Sequence, residues 1–315
     1  MNKIKSFFCL VRWTNLFMIA TMMLLVYHCV MSPLSYYLGP MALPPSYTFY
    51  MLVMSLVFIV AGGYVVNDCF DVVTDEINKP DKLLVDKVFT KRQSLFFYGV
   101  LTFVGVLLGL LSSIMILQSE FYLLFAVLLL ITCLLYSYSS TYKRKFFVGN
   151  FVVSLLVSSS VFLPYLFEIL YLSNNVSMLF ETKDLVVSVL YFVLIYTAFA
   201  FLLTFIREIV KDVEDYEGDI KIHCQTIPVV CGVNATKTTL YVLISLLLLL
   251  LAVYGYVLFG MELYVAMGIM MVIALCSVLL AVMIYRAKTQ KDFHNSSAFA
   301  KVMMLIGLLS MIFLR

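Results

Sequence analysis

The chain has 315 residues, of which 63% are hydrophobic and 12% charged, with a mean hydropathy of +1.05. A soluble domain carries about 25% charged residues, so this composition argues against a water-soluble globular protein and for a polytopic membrane protein. The formal net charge of +3 is too small to point to nucleic acid, and the placement of the charges carries more information than their sum.

A helix needs about 20 predominantly apolar residues to span the hydrocarbon core. Nine stretches qualify or come close, near 13–31, 47–66, 94–117, 120–139, 147–172, 184–206, 238–259, 261–285 and 297–314. The N-terminal segment carries Lys3, Lys5 and Arg12 ahead of its apolar run and lacks a small-residue cleavage signal, so it reads as a retained first helix. The short joins at 118–119 and around 260 predict tight hairpins. Cys9, Cys29, Cys69, Cys133, Cys224, Cys231 and Cys276 show neither paired nor ligand-like spacing, which gives no support to a disulfide framework or a zinc site.

Lys and Arg accumulate on the cytoplasmic side of membrane proteins. The N-terminus and the loops after spans two, four, six and eight hold 18 of the 21 basic residues, which places those segments in the cytoplasm, at the inner membrane in a bacterium. Of the rest, Lys183 and Arg315 fall on the opposite side, and Lys301 lies just inside the last span.

The acids are equally uneven: 12 of 18 lie between 68 and 86 or between 208 and 219. A charge at the centre of a membrane helix costs about 2.5–3.5 kcal/mol on insertion scales, so six in one segment cannot face lipid. They must line a polar cavity or sit in the cytoplasmic loops.

In the first cluster Asp68, Asp71 and Asp75 fall at i, i+3 and i+7, one face of a helix, with Asn67 four residues before Asp71 on the same side. Asp212, Asp215 and Asp219 repeat that spacing. The repeat hints at a duplicated helical half, roughly spans one to four and five to eight, with a ninth added. Like charges stacked this way repel unless a cation sits among them. Carboxylate oxygens are hard ligands suited to Mg²⁺, which completes its shell with water and substrate phosphate. The plainer reading is a solvated acidic loop, which would scatter its acids and mix them with bases. Two acidic faces across a cavity suit a diphosphate held through metal ions.

The run Asn67-Asp68-x-x-Asp71-x-x-x-Asp75 with Asn78-Lys79-Pro80, and later Lys211-Asp212-x-x-Asp215-x-x-Gly218-Asp219, resembles the UbiA family of intramembrane prenyltransferases. That family carries NDxxDxxxD and DxxxD motifs after its second and sixth helices, and the likeness extends over essentially the whole chain. It implies an all-α fold class: a single membrane domain over 1–315, nine transmembrane helices around a central cavity with cytoplasmic acidic caps. It further implies Mg²⁺-dependent transfer of a prenyl group from an allylic prenyl diphosphate to a lipid acceptor, with metal held among Asn67, Asp68, Asp71, Asp75, Asp212, Asp215 and Asp219. Asp71, Asp215 and Lys143 are the expected catalytic residues.

Two departures stand out. Lys79 replaces an Arg frequent in the family, which keeps the charge and loses a bidentate fork. Ser139 stands four before Lys143 where a Tyr is common. Tyr136 is two helical turns before Lys143 and on its face, so Tyr136 and Lys143 are candidate diphosphate ligands; the alternative is a basic cluster beneath an aromatic belt. Arg12 and Asn15, three apart, resemble the first helix of UbiA members that prenylate glycerophosphate lipids, although an interfacial Arg beside Trp13 also serves as an anchor. They are the one hint that the acceptor is the hydroxyl of a prenylglycerol phosphate; the alternative is an aromatic ring, as in quinone biosynthesis.

Arg207 reads as pairing with neighbouring acids, and Lys211 either pairs likewise or contacts the diphosphate. Thr226-Ile227-Pro228 and Gly232 resemble a structural element that ends the loop before span seven. His28 and His294 are expected to be packing or surface residues without partners, His223 a loop histidine, and Glu168 an interfacial acid. A cation-coupled transporter is the rival from another class. Transporters usually place their ionisable groups near the bilayer midplane, whereas these acids gather toward one face.

Overall fold

Long apolar runs without water to satisfy their backbone can only close their hydrogen bonds within a helix, and the computed structural model, which describes residues 3–38, 44–78, 83–117 and 121–314, is helical nearly throughout. The elements are α1 (Lys3–Leu10), α2 (Trp13–Leu25, continued by a π turn over Val26–Val30), α3 (Ser32–Leu38), α4 (Ser46–Phe70), α5 (Val72–Asn78), α6 (Lys91–Leu117), α7 (Tyr122–Ser140), α8 (Val148–Leu172), α9 (Val176–Glu181), α10 (Lys183–Glu214), α11 (Tyr216–Lys221), α12 (Ile227–Cys231), α13 (Val233–Gly260), α14 (Tyr264–Arg286) and α15 (Gln290–Ser310). Among the described residues nine helices are long and apolar enough to cross a membrane, matching the nine stretches read from the sequence. α10, at 32 residues, is about 48 Å long, more than a 30 Å hydrocarbon core, so its last turns carry Arg207 to Glu214 toward one end of the bundle.

The loops after α4, α7 and α10 meet at that end. Arg144 donates to the Phe70 carbonyl (3.3 Å), and the backbone N–H of Gln225 donates to the Arg144 carbonyl (2.9 Å). The Lys237 ammonium closes the next loop against the Ala287 carbonyl (2.7 Å). At residues 261–263 a tight turn joins α13 to α14, as the sequence predicts; the join at 118–119 lies outside the described residues, as do Lys79 and Pro80.

Two apolar cores flank the middle of the bundle. One centres on α4 and includes Phe49, Leu52, Leu124 and Leu128; the other centres on α10 and includes Leu203, Ile206, Leu240 and Ile273. Between α4 and α6 small residues replace large ones. Ser55 donates to the Gly105 carbonyl (2.7 Å) and Ser112 to the Thr48 carbonyl (2.8 Å), so the two backbones are bolted together at close range.

The acidic helices differ from the sequence reading in one respect. Asp68, Asp71 and Asp75 do not share one straight helix, because α4 ends at Phe70 and resumes as α5, with Asp71 (φ −95°, ψ 0°) at the bend. Asp215 (φ −93°, ψ 5°) occupies the same conformation between α10 and α11. Backbone bonds run on through both bends: Asp71 N to Asn67 O and Asp75 N to Asp71 O, matched by Asp215 N to Lys211 O and Asp219 N to Asp215 O. Each bend sets the last acid of its triplet on a separate short helix, α5 or α11, and these two helices pack against each other.

Three other side chains depart from expectation. Glu168 is 2% exposed, covered where α2 packs on α8 and hydrogen-bonded to Tyr27. His28 Nε2 lies 3.4 Å from the Tyr50 hydroxyl and His294 Nδ1 2.9 Å from Glu214 Oε1, since neighbouring helices bring partners that sequence distance hides.

A Cβ at Gly105 would stand 2.9 Å from the Ser55 carbonyl oxygen, which is backbone and cannot swing aside. Gly105→Ala should therefore destabilise the purified protein by about 1–3 kcal/mol, read as a lowered Tm. Gly268→Ala, with open space around it, should leave the Tm unchanged.

Candidate active site

Backbone geometry places the first cation. Arg12 sits between α1 and α2 in the left-handed region (φ 52°, ψ 52°), a conformation that costs a side-chain-bearing residue about 1–3 kcal/mol and is held only by surrounding contacts. Its guanidinium donates to Asp68 Oδ1 (2.9 Å) and lies 4.9 Å from the Tyr64 ring centroid. One turn further on, Asn15 donates to the Tyr64 hydroxyl (3.3 Å) and accepts from the Lys301 ammonium (2.7 Å), which joins the first, second and ninth spans.

The second cation reaches the acids from a turn. α7 ends at Ser140, and Lys143 lies in the single 3₁₀ turn Tyr142–Arg144. Its ammonium is hydrogen-bonded to Asp71 and donates to Asn67 Oδ1 (3.3 Å), while Asn67 Nδ2 donates to the other Asp71 oxygen (2.7 Å). Burial, opposed by Asp71, holds the Lys143 pKa below the ordinary lysine value. This turn is set by its neighbour: a Cβ on Gly149 would stand 2.8 Å from Lys143 Cα and 2.9 Å from the Tyr142 carbonyl oxygen. The next residue, Asn150, donates to Asp212 Oδ2 (2.7 Å), so the start of α8 touches both the Lys143 turn and the second acidic segment.

On the second segment the buried Asp219 accepts from the Thr226 hydroxyl (3.1 Å), which gives the Thr-Ile-Pro element a part in fixing an acid as well as in starting α12. Cys224 is covered beside it, and burial together with the Asp219 charge pushes its thiol up to about 11. Glu208 accepts from both Arg207 and Lys211 (2.7 Å each), the pairing expected for Arg207. His223 is an exposed loop residue.

Arg12, Asn15, Asn67, Glu208 and Lys211 line a cleft of about 1130 Å³, the open space at its mouth included, whereas Lys143 and the aspartates of the two acidic segments lie outside its lining. Its polar part holds Arg12, Asn15, Asn67, Lys211 and Lys301, and its apolar walls include Met18, Met22, Leu56 and Leu156. The shape suits an amphiphile with an anionic head and a hydrocarbon tail. Tyr136 is not brought to this cleft. Because α7 ends before Lys143, the two-turn alignment of Tyr136 with Lys143 does not carry through, and Tyr136 packs outside against Phe70 and Tyr98 while Tyr138 lines the cleft.

The donor set, carboxylate and amide oxygens from two facing segments, suits a hard divalent cation. Among the described residues no three carboxylate, His or Cys groups converge as a ready metal cluster. Asp68, Asp71 and Asp212 are instead held by Arg12, Lys143 and Asn150.

Sequence reasoning missed Lys301, Tyr64, Tyr138 and Asn150. Only Lys301 carried a signal, since an ionisable residue inside a span points to a polar pathway.

The pattern of the UbiA prenyltransferase family matches residues 29–308. The digeranylgeranylglyceryl phosphate synthase of Methanosphaera stadtmanae is 29% identical over 269 residues, 84% of this chain and 88% of that one. The enzyme of the same name from Sulfurisphaera tokodaii is 30% identical over 222 residues, 70% and 69% of the two chains. Among solved structures, a digeranylgeranylglyceryl phosphate synthase aligns with a TM-score of 0.64 at 22% identity, covering 99% of this chain and 98% of that one. A UbiA homolog from Archaeoglobus fulgidus bound to GPP and Mg²⁺ aligns with a TM-score of 0.59 at 14% identity, covering 97% and 99%. At these identities the structural likeness bears on the fold.

Gly149→Ala should push the Lys143 turn off its seat on Asp71. The expected result is a lowered reaction rate with a raised KM for the prenyl donor, while Gly255→Ala, which meets nothing within 4 Å, keeps both constants.

Proposed function

Since the chain belongs to the UbiA prenyltransferase family and is an integral, multi-pass membrane prenyltransferase, we propose that it transfers a prenyl group from an allylic prenyl diphosphate to the free hydroxyl of a prenylated glycerol phosphate. The observation that carries the acceptor is the placement of Arg12 and Asn15 at the head of an apolar cleft, where a phosphorylated glycerol finds cationic and amide donors and its chain finds Met and Leu walls. The names and coverage of the curated relatives support the same acceptor. The N-terminus and both acidic segments face the cytoplasm, a reading supported by the 18 basic residues in the N-terminus and the loops that follow the even-numbered spans.

Mg²⁺, held by Asn67, Asp68, Asp71 and Asp75 from one segment and Asp212, Asp215 and Asp219 from the other, would neutralise the diphosphate and draw electrons from the leaving oxygen. Lys143 contributes a fixed positive charge where negative charge grows as the allylic C–O bond breaks and the electron pair leaves with the diphosphate. Lys211 adds a second cation, and Lys79 of the Asn-Lys-Pro motif is proposed as a further diphosphate ligand. Asn67 orients Asp71, and Asn150 and Thr226 orient Asp212 and Asp219. The apolar cleft walls keep water from the allylic cation, so the acceptor hydroxyl is the nucleophile at hand. Its oxygen bonds to the allylic carbon and gives up its proton to the departing diphosphate.

Asp71→Asn and Asp215→Asn should each abolish product formation while the chain still inserts in membranes; a purely transporting protein would make no product even as wild type. Chelation of divalent ions should stop turnover and lower the Tm, and added Mg²⁺ should restore both. Membranes containing the protein, given labelled geranylgeranyl diphosphate and each acceptor class, should yield an ether lipid. A prenylated aromatic ring would reject the glycerol phosphate acceptor.

A further inference from the structure

The cations of the cleft outnumber what its acids can balance. Arg12, Arg207, Lys211 and Lys301 line it, with Glu208 as the carboxylate among the lining residues. Glu208 is shared by Arg207 and Lys211, and Arg12 takes Asp68 from just outside, so by direct ion pairs two of the four cations have no carboxylate of their own. Lys301 is the extreme case. It enters the cleft from α15 in the ninth span, its ammonium donates to the neutral amide of Asn15, and among the described residues no carboxylate lies within ion-pair distance of it. Arg207 is near enough to repel it. Arg207 itself is incompletely used: its Nη1 meets Glu208, but its buried Nε–H has no hydrogen-bond partner. A buried N–H left unbonded has lost its water without a replacement, and an ammonium inside a membrane bundle is retained where it serves a ligand or an ion path.

We propose that Lys301 and Arg207 form the seat for the phosphate of the lipid acceptor and so set specificity for a phosphorylated lipid; this rests on the reading of the acceptor as a glycerol phosphate. A phosphomonoester carries close to two negative charges and three acceptor oxygens, which matches both the surplus charge and the idle donor. Position also fits. Lys301 is tied through Asn15 to Tyr64, three residues before Asn67, whereas the Lys143 ammonium holds Asn67 and Asp71 from the loop after α7. The phosphate seat and the diphosphate site therefore approach the cleft from different spans, leaving the space between them for the hydroxyl and the allylic carbon. The surplus also explains why Arg12 and Asn15 alone are an incomplete head-group site: Arg12 is already committed to Asp68, and Asn15 brings no charge.

The test uses Lys301→Gln, Lys301→Arg and Arg207→Gln in the full-length protein, with steady-state rates on geranylgeranylglycerol phosphate and on its dephosphorylated counterpart. Lys301→Gln should raise the KM for the phosphorylated acceptor at least tenfold, leave the KM for the prenyl diphosphate within twofold, and cause no further loss on the dephosphorylated acceptor; Lys301→Arg should recover most of the affinity. A rise confined to the prenyl diphosphate KM, or equal losses on both acceptors, overturns the assignment. A binding arm separates this from the acceptor reading itself. With the donor site filled by a non-reactive prenyl thiolodiphosphate and Mg²⁺, dodecyl phosphate should raise the Tm of the wild type and not of Lys301→Gln or Arg207→Gln. If the wild type makes no ether lipid yet dodecyl phosphate protection still depends on Lys301 and Arg207, the phosphate seat stands and the glycerol acceptor falls. Equal protection of wild type and both variants, or displacement of the thiolodiphosphate by dodecyl phosphate, removes the seat whatever the acceptor.

Discussion

A carboxylate cannot stand at the end of an apolar helix bundle unless positive charge or hydrogen-bond donors meet it, and the arrangement of the whole acidic end of the bundle follows from that constraint. Lys143 holds Asp71, Arg12 holds Asp68, and Asn150 holds Asp212. Each partner arrives from a different helix or loop, so the acids and their counter-groups fix the relative positions of spans one, two, four, five and six. Removing one partner from a buried pair is more damaging than never having built it, because the remaining charge has lost its water and gained nothing. The site residues therefore also help to hold the end of the bundle together.

The two bends at Asp71 and Asp215 make the second link. Both positions have near-identical dihedrals and the same pair of flanking backbone hydrogen bonds, a helix-break conformation that also occurs at Thr182. Their physical effect is to stop each triplet from running straight off the end of its span. The straight helix inferred from spacing would aim three acids along one line; the bend instead puts the last acid of each triplet on its own short helix, and these two helices, α5 and α11, come into contact. The sharp approach of α6 to α4 through Gly105, and of α8 to the Lys143 turn through Gly149, sets where those bends lie relative to the cleft.

The architecture and the acidic half of the site were legible because both are periodic and local. Nine apolar runs are helices by length and composition alone, and acids at i, i+3 and i+7 are visible in a string of letters. The cationic half was not legible in the same way. Lys301 meets Asn15 across 286 residues, and no local pattern joins a lysine in the last span to an asparagine in the first. Tyr136 was singled out by a helix extended past its true end at Ser140, and Tyr138, two residues along and on the other side of the helix, takes the cleft position. Gly149 and Asn150 look like an unremarked helix start until the Lys143 turn is laid against them.

The separation of charge along the cleft has a consequence for how an amphiphile enters. Acids dominate the bends, where carboxylates from two segments face one another, while cations without enough acids lie deeper, against the Met and Leu walls. A headgroup that is anionic on its own is repelled by the bends and drawn to the deeper cations. One that arrives neutralised by divalent metal is instead stabilised by the acids. In a medium of low dielectric that difference in sign is felt strongly over a few ångströms. Two substrates that each carry phosphate and a prenyl chain can thus be sorted to different ends of one cleft by whether metal accompanies the phosphate, and the sorting needs no difference in the shape of their tails.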